Sequence, residues 1–409
     1  MLKILKLAAR NLARYWRRTL LTSGLIILGV VAVLLFIAVS GSFKGLIVGQ
    51  ITDSVLGHLQ VHRRGYVASI DNLPLNLNMK PAAVAQVEKA LAGDAAVVAW
   101  SPRLKFGAMF SNFTETTSIR LNGVLPEREA AAMPMLAKRL VQGSAAQGLL
   151  ERGKVLIPEI IARGMKLKPG DPVVLVATNL DGSVNGQNFV VQGVLGDVTG
   201  PGGRDGYVHL EDARALLRMT EAEASEIAVR LKDLSALPAA KARIAEALGG
   251  KGMLEVHGWD QLSPFANIAR MIDLLDIFIR VMLVGIVLIA VMNVMIMAVY
   301  ERIREIGMIA AIGTPPRRIL ALFLTEGALL GAAGTAIGVA LSLALVYALN
   351  IWPVHFTFGR DQQLVLVPVL AAADALLVGA IVVVIAILAS LQPAWKAARM
   401  DPITALRHV

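Results

Sequence analysis

Histidines are the first groups in this chain to weigh for chemistry. His58 and His62 lie in GHLQVHRRGY at a spacing that lets them share a strand face, and His209 or His257 would extend them to a metal-ligand set. No carboxylate pattern supports such a set, and ordinary surface histidines are the simpler reading. Elsewhere there is no G-x-S-x-G, no H-E-x-x-H and no G-x-x-x-x-G-K-[ST]. GGKGM at 249–253 lacks the Ser or Thr after lysine that would meet magnesium. The expectation is a chain with no catalytic residues, no metal site and no cofactor of its own.

Ionisable residues stand instead inside apolar runs, where each costs a few kcal/mol to insert and is normally paired or functional. Arg280 lies near the outer end of one run and Asp374 inside another, which makes them candidates for an intramembrane pair. Glu326 lies early in a third run. The same run holds Gly327 and Gly331, then Gly334 and Gly338, two G-x-x-x-G steps that let another helix approach closely.

A third constellation is ERIREIGMIAAIGTPPRRIL, residues 301–320. Ile303, Ile306 and Ala310 form an apolar stripe, while Glu301/Arg304 and Arg302/Glu305 are spaced to pair on the outer faces. Gly313 is a natural helix stop, with Thr314 as the next N-cap and Pro315 at the next first helical position. The pattern predicts a short helix held against a membrane face with its charges turned outward, which is the form of a docking knob.

The elements that position these groups follow from composition. Of 409 residues, 56 % are hydrophobic and 17 % charged, and mean hydropathy is +0.63, which places the chain in a bilayer. Spanning a hydrocarbon core takes about 20 helical residues. Four runs are long enough: residues 19–39, 277–299, 319–349 and 364–391. A polar insert, residues 40–270, separates the first from the rest. The predicted fold is membrane α-helical, four transmembrane helices in a one-plus-three layout, with a large α+β domain between helices 1 and 2.

The net charge of +10 assigns the sides. The first 18 residues carry Lys3, Lys6, Arg10, Arg14, Arg17 and Arg18. The 300–318 loop sets Arg302, Arg304, Arg317 and Arg318 against Glu301 and Glu305. The 392–409 tail sets Lys396, Arg399 and Arg407 against Asp401. These segments hold the whole positive excess, so both termini and the 300–318 loop are expected in the cytoplasm, with the large domain and the 350–363 loop outside. Topology thus accounts for the basic balance, and nucleic acid is not an expected partner. Cysteine is absent, so disulfide chemistry is excluded. The first apolar run is longer than a typical signal-peptide core and is read as a retained helix.

Residues 1–18 read as an interfacial amphipathic helix, with Leu2, Leu5, Ala9, Leu12 and Trp16 on one stripe and the cations beside it. Within the insert, strands are expected at 57–66, 116–126, EIAVRL and GMLEVHGW, and helices at 81–93, after Pro158, and at PAAKARIAEALGG. A KPGD turn precedes two β-rich runs joined by a Gly/Asn/Asp-rich loop. SPFANIARMIDLLDIFIR runs in helical register into the second span, so residues 271–299 are read as stalk and span together.

ERIREIGMIAAIG, followed by RRIL and then EG, resembles the signature of FtsX-like permeases, and QPAWKAARMDPITALR (392–407) resembles that family's ending. The layout and the 126–195 region resemble the MacB-like periplasmic core, so the likeness extends over most of the chain. Pro315-Pro316 departs from the small or polar pair more usual after the glycine. The resemblance is to the type VII ABC superfamily, in the style of the lipoprotein-releasing LolC and LolE permeases. It implies a bacterial inner-membrane protein dimerised with a second permease copy, the same or a sister, and bound to two copies of a cytoplasmic ABC ATPase that holds ATP and Mg. Glu301, Arg302, Arg304, Glu305, Ile306, Gly307 and Gly313 would then form the ATPase-coupling helix. ATPase motion would reach the outer domain and move a lipophilic envelope substrate, a lipoprotein, lipid or amphipathic compound, with a periplasmic carrier or adaptor and membrane lipid as further partners. A signalling scaffold that activates a periplasmic cell-wall hydrolase is the alternative. A membrane enzyme is a third reading, disfavoured by the missing catalytic groups.

Overall fold

A computed structural model describes residues 2–14, 16–143, 148–196, 205–250, 252–358 and 361–400. The end of the 392–407 tail, the lysine of GGKGM and the cations Arg407 and Lys251 therefore lie outside the described residues. The chain divides into two compact units, one built mainly from the long helices and one from residues 45–271 with 357–362.

In the helical unit, α1 (Leu2–Arg14) precedes α2 (Trp16–Ile51), and α8 (Phe265–Glu301), α9 (Ile303–Ala311), α10 (Pro316–Ile351) and α11 (Ala372–Ala398) follow the insert. Among the described residues, four helices are long and apolar enough to cross a membrane. Their shared core includes Ile26, Val30 and Leu34 of α2, Val287 and Val291 of α8, Phe323 and Leu330 of α10, and Val382 and Ala386 of α11. Long apolar side chains such as Leu274, Phe278 and Val281 on α8 and Leu376 on α11 are exposed, as lipid-facing or partner-facing helices require.

The helices differ from the sequence expectation at two ends. The first does not stop at Val39: Ser40-Gly41-Ser42 stays helical and α2 continues to Ile51, followed by a π-turn at Thr52–Leu56. The fourth does not start at Leu364. Strands β11 (Val354–Phe358) and β12 (Asp361–Leu366) form a hairpin, and α11 begins at Ala372. Pro368 lies between β12 and α11, and helical geometry is disfavoured for the residue before a proline. The second helix behaves as its period predicts, one unbroken helix from Phe265 through the span to Glu301.

The other unit is built on a mixed sheet of β1 (Leu59–Arg63), β2 (Val97–Ser111), β3 (Thr116–Val124), β4 (Leu140–Gly143), β5 (Lys154–Pro158), β6 (Pro172–Thr178), β7 (Val184–Leu195), β8 (Asp205–His209), β9 (Glu226–Leu231) and β10 (Leu254–Gly258). The strand order is β10-β1-β9-β2-β3-β8-β5-β7-β4, with β6 pairing β2 and β7. Helices α3 (Pro81–Ala92) and α7 (Leu237–Ala247) cover one core, with Leu59, Val61, Val87, Leu91, Ile227 and Ile244. The helices α5 (Glu159–Gly164) and α6 (Leu210–Leu216) cover a second, with Leu104, Phe106, Phe110, Val173 and Phe189. Strand β2 serves both: residues 97–103 pair with β9 and residues 103–111 with β3. Its Leu104, Phe106, Ala108 and Phe110 alternate inward.

Candidate coupling site

Arg302 (φ −109°, ψ 18°) breaks helical geometry between α8 and α9. Ile303, Ile306 and Gly307 are buried, while Arg304, Glu305 and Met308 are exposed and Ile312 is 80 % exposed. The helix ends where Gly313 turns left-handed at φ +91°. Gly313 N–H donates to Ala310 O (3.0 Å) and Thr314 N–H to Ile309 O (3.3 Å), the double closure of a Schellman stop, which places glycine at the left-handed position. The next helix starts one residue later than the Thr314/Pro315 expectation. Pro315 is held extended at ψ 144° by the following proline, so Pro316 is its first helical residue.

The sequence expectation put Arg302 on the outer face. It is buried, 4 % exposed, and its Nη1 donates to both carboxylate oxygens of Glu326 on α10 at 3.0 and 3.1 Å. Asn11 of α1 donates to the same Oε1 at 2.9 Å. The buried Glu326 carboxylate of α10 thus ties the root of the short helix to Asn11 of α1. Glu326 and Asn11 are not among the residues expected for the coupling helix, yet both bond at its root. Glu326 carried two signals, an acid in an apolar run and the EG of the family signature, and Asn11 carried none.

The four glycines of α10 are divided between two neighbours. A Cβ at Gly327 would fall 2.0 Å from Ser390 Oγ, and one at Gly331 2.7 Å from Ala386 Cβ, both on α11. At Gly334 and Gly338 it would fall 2.7 Å from Ile26 and 2.8 Å from Val30, both on α2. A further close approach, absent from the expectation, is Gly29 of α2, whose Cβ would fall 2.3 Å from Val287 of α8. Replacing Gly334 by Leu is expected to destabilise the helical unit by about 1–3 kcal/mol through overpacking, read as a lower melting temperature in detergent.

Arg280 and Asp374 are not brought together. Arg280 pairs with Asp276, one turn earlier on its own helix, at 2.7 Å. Asp276 also accepts from Ser40 of α2 at 3.1 Å, and Lys44 pairs with Asp273. Because α11 starts at Ala372, Asp374 lies in its first turn, where the helix dipole favours an acid, and not in the interior of a span.

In the other unit His58 and His62 are buried, and His209 and His257 are half-buried. His62 is fully buried and stacks on Tyr66 with ring centroids 5.4 Å apart. His58 Nδ1 accepts from Leu231 N–H (3.2 Å), and His209 Nδ1 caps α6 by accepting from Glu211 N–H (3.2 Å). Among the described residues no three His, Cys, Asp or Glu side chains converge as a metal site. What the sequence did not single out is Arg103, buried at the midpoint of β2. It bonds Glu129 of α4 (Pro126–Ala132) at 2.6 and 3.2 Å, Glu226 of β9 at 3.0 Å and Val55 O at 2.6 Å. Lys105 Nζ lies 3.2 Å from Glu226.

Burial would raise the Glu226 carboxyl, but Lys105, His62 and Arg103 together hold it well below the ordinary range. A carboxylate depressed in the folded state stabilises fully above its unfolded value of about 4.3 and loses that contribution as pH falls. Acid is therefore expected to destabilise this domain, as followed by tryptophan fluorescence. Glu226→Gln should flatten the acid limb of the profile while lowering stability at neutral pH.

Four long apolar helices, an α+β domain spliced between the first and second, and a short helix rooted on a buried ion pair define a membrane permease with a large extramembrane insert. Residues 19–247 match the MacB-like periplasmic core domain and residues 277–402 the FtsX-like permease C-terminal domain, and the chain belongs to this family of ABC transporter permeases. It is 32 % identical over 198 residues to the macrolide export ATP-binding/permease protein MacB of Syntrophobacter fumaroxidans, covering 45 % of this chain and 25 % of that protein. It is 41 % identical over 118 residues to the pyoverdine export ATP-binding/permease protein PvdT of Pseudomonas syringae pv. tomato, covering 29 % and 16 %. The match thus spans a quarter or less of those relatives' length. The crystal structure of the periplasmic region of MacB from Actinobacillus actinomycetemcomitans aligns with 56 % of this chain and 98 % of its own, at a TM-score of 0.36 and 13 % identity.

Proposed function

We propose that this chain is the non-catalytic permease subunit of an ATP-driven ABC exporter, in which ATP and Mg are held by a partner ATPase and motion is passed mechanically to the outer domain. The reading places the protein in the bacterial inner membrane with α9 and both termini in the cytoplasm and the sheet domain in the periplasm. It takes two ATPase copies and a second permease copy, with a periplasmic carrier or adaptor as a further partner. The relatives are named for macrolide and pyoverdine export, which favours an amphipathic compound over a lipoprotein as cargo.

One observation carries the reading. The short helix presents Arg304, Glu305, Met308 and Ile312 outward while its root, Arg302, is clamped to Glu326. An exposed helix face that mixes charge and apolar groups fits insertion into a groove on a partner, and a clamped root passes force to α10. The test is purification from the native membrane in mild detergent with identification of bound proteins. A stoichiometric P-loop ATPase supports the reading, and its absence under conditions that preserve a known ABC complex opposes it.

A further inference from the structure

A cavity of about 410 Å3 lies behind the outward face of the short helix, between α1, α9 and the start of α10. Its depth is apolar, formed by the buried Ile306, Ile319 and Phe323 and the half-buried Leu322, with the exposed Leu7 and Ile309 at the edge. Arginines outnumber acids in its lining, Arg302 and Arg318 against Glu305. Arg318 lines it and is exposed, and Arg10 and Arg14 follow Leu7 and Asn11 by three residues, on the same side of α1. Glu305 is the acid in the lining, and Arg302 faces Glu326.

The first turn of α10 holds Arg317 and Arg318 and no acidic residue. Cations at the positive end of a helix dipole are unfavourable unless an anion neutralises them. Nearby, Leu5, Leu7, Trp16, Leu20 and Leu21 are exposed large apolar groups, which puts the cavity mouth at the level of lipid head groups. Apolar depth, an excess of arginine in the lining and a lipid-level position together describe an amphipathic anion supplied by the bilayer.

We infer that this cavity seats one anionic phospholipid, its acyl chain among Ile306, Ile319, Leu322 and Phe323 and its phosphate against Arg318 and the start of α10. The lipid wedges the coupling helix against α1, so the inner leaflet contributes to the stiffness of the docking knob. The inference rests on the cytoplasmic placement of α9 proposed above, but its lipid readout needs no ATPase.

The full-length chain, purified in mild detergent, is exchanged into nanodiscs of equal phosphatidylglycerol and phosphatidylcholine, and retained lipid is read by native mass spectrometry after release. Retained phosphatidylglycerol should exceed phosphatidylcholine, and Arg318→Ala should reduce that preference about fivefold, the scale of one arginine near a membrane surface. Leu322→Trp, which fills the apolar part of the cavity, should abolish retention of either lipid. Equal retention of both lipids by the wild type, or none, overturns the inference. So does a Leu322→Trp variant that keeps its lipid but no longer co-purifies with a P-loop ATPase, since the cavity then seats a side chain of that partner. Lipid retention without any co-purifying ATPase would count against the exporter reading alone.

Discussion

Replacing Glu326 by Ala is expected to lower the stability of the helical unit by about 3–5 kcal/mol, the usual cost of removing one partner of a buried ion pair. Arg302 is 4 % exposed and receives its carboxylate from this residue, and Asn11 loses its acceptor in the same step. The double replacement Arg302→Met with Glu326→Leu removes both charges and is expected to regain most of the melting temperature, since apolar isosteres of buried pairs are often neutral or better. It should not regain coupling, because the clamp on the root of the short helix is gone. Melting of the detergent-solubilised protein together with ATP turnover of the assembled complex separates the two effects. A double variant with wild-type turnover would show that the pair serves folding only.

Reversing the outward charges, Arg304→Glu with Glu305→Lys, is expected to leave the melting temperature unchanged and weaken ATPase binding by about tenfold or more. Both side chains are exposed, so the fold does not depend on removing water from them. Retained ATPase binding with wild-type turnover would sink the assignment of α9 as the coupling helix. Bulk at Gly307 is a less direct probe. That residue is buried on the inner face, so a larger side chain there would lift the whole helix off its seat.

The helical part of the fold is written in local chemistry, and its exceptions are tertiary. The period of SPFANIARMIDLLDIFIR carries α8 through stalk and span, and Gly313 stops α9 because it alone among its neighbours takes φ +91° at no steric cost. Ser40-Gly41-Ser42 looks like a helix end but stays helical. Leu364, Val365 and Leu366 have enough hydrophobicity for a span, yet they pair as a strand. Strand β2 is hidden by Pro102 and by Arg103 and Lys105, whose charges interrupt an otherwise alternating run and are legible only once Glu129 and Glu226 are in place. The site divides in the same way. The 301–313 periodicity shows a knob, but Arg302 and Glu326 are 24 residues apart, and no spacing rule links a loop arginine to an acid in the next apolar run. The glycine steps of α10 announce close packing, while the division into one pair facing α11 and one facing α2 follows only from the bundle.

The most direct test of the central claim is a crosslink at the knob. The chain lacks cysteine, so a single Met308→Cys places the sole thiol on the exposed face of α9. Membranes of the native host expressing this variant, treated with a short photoactivatable maleimide, should yield a crosslinked band containing this chain and a P-loop ATPase. The band should disappear when Arg304 and Glu305 are also reversed. A thiol that labels freely with a water-soluble maleimide, yields no ATPase adduct and is unaffected by the charge reversal would contradict the coupling role of α9.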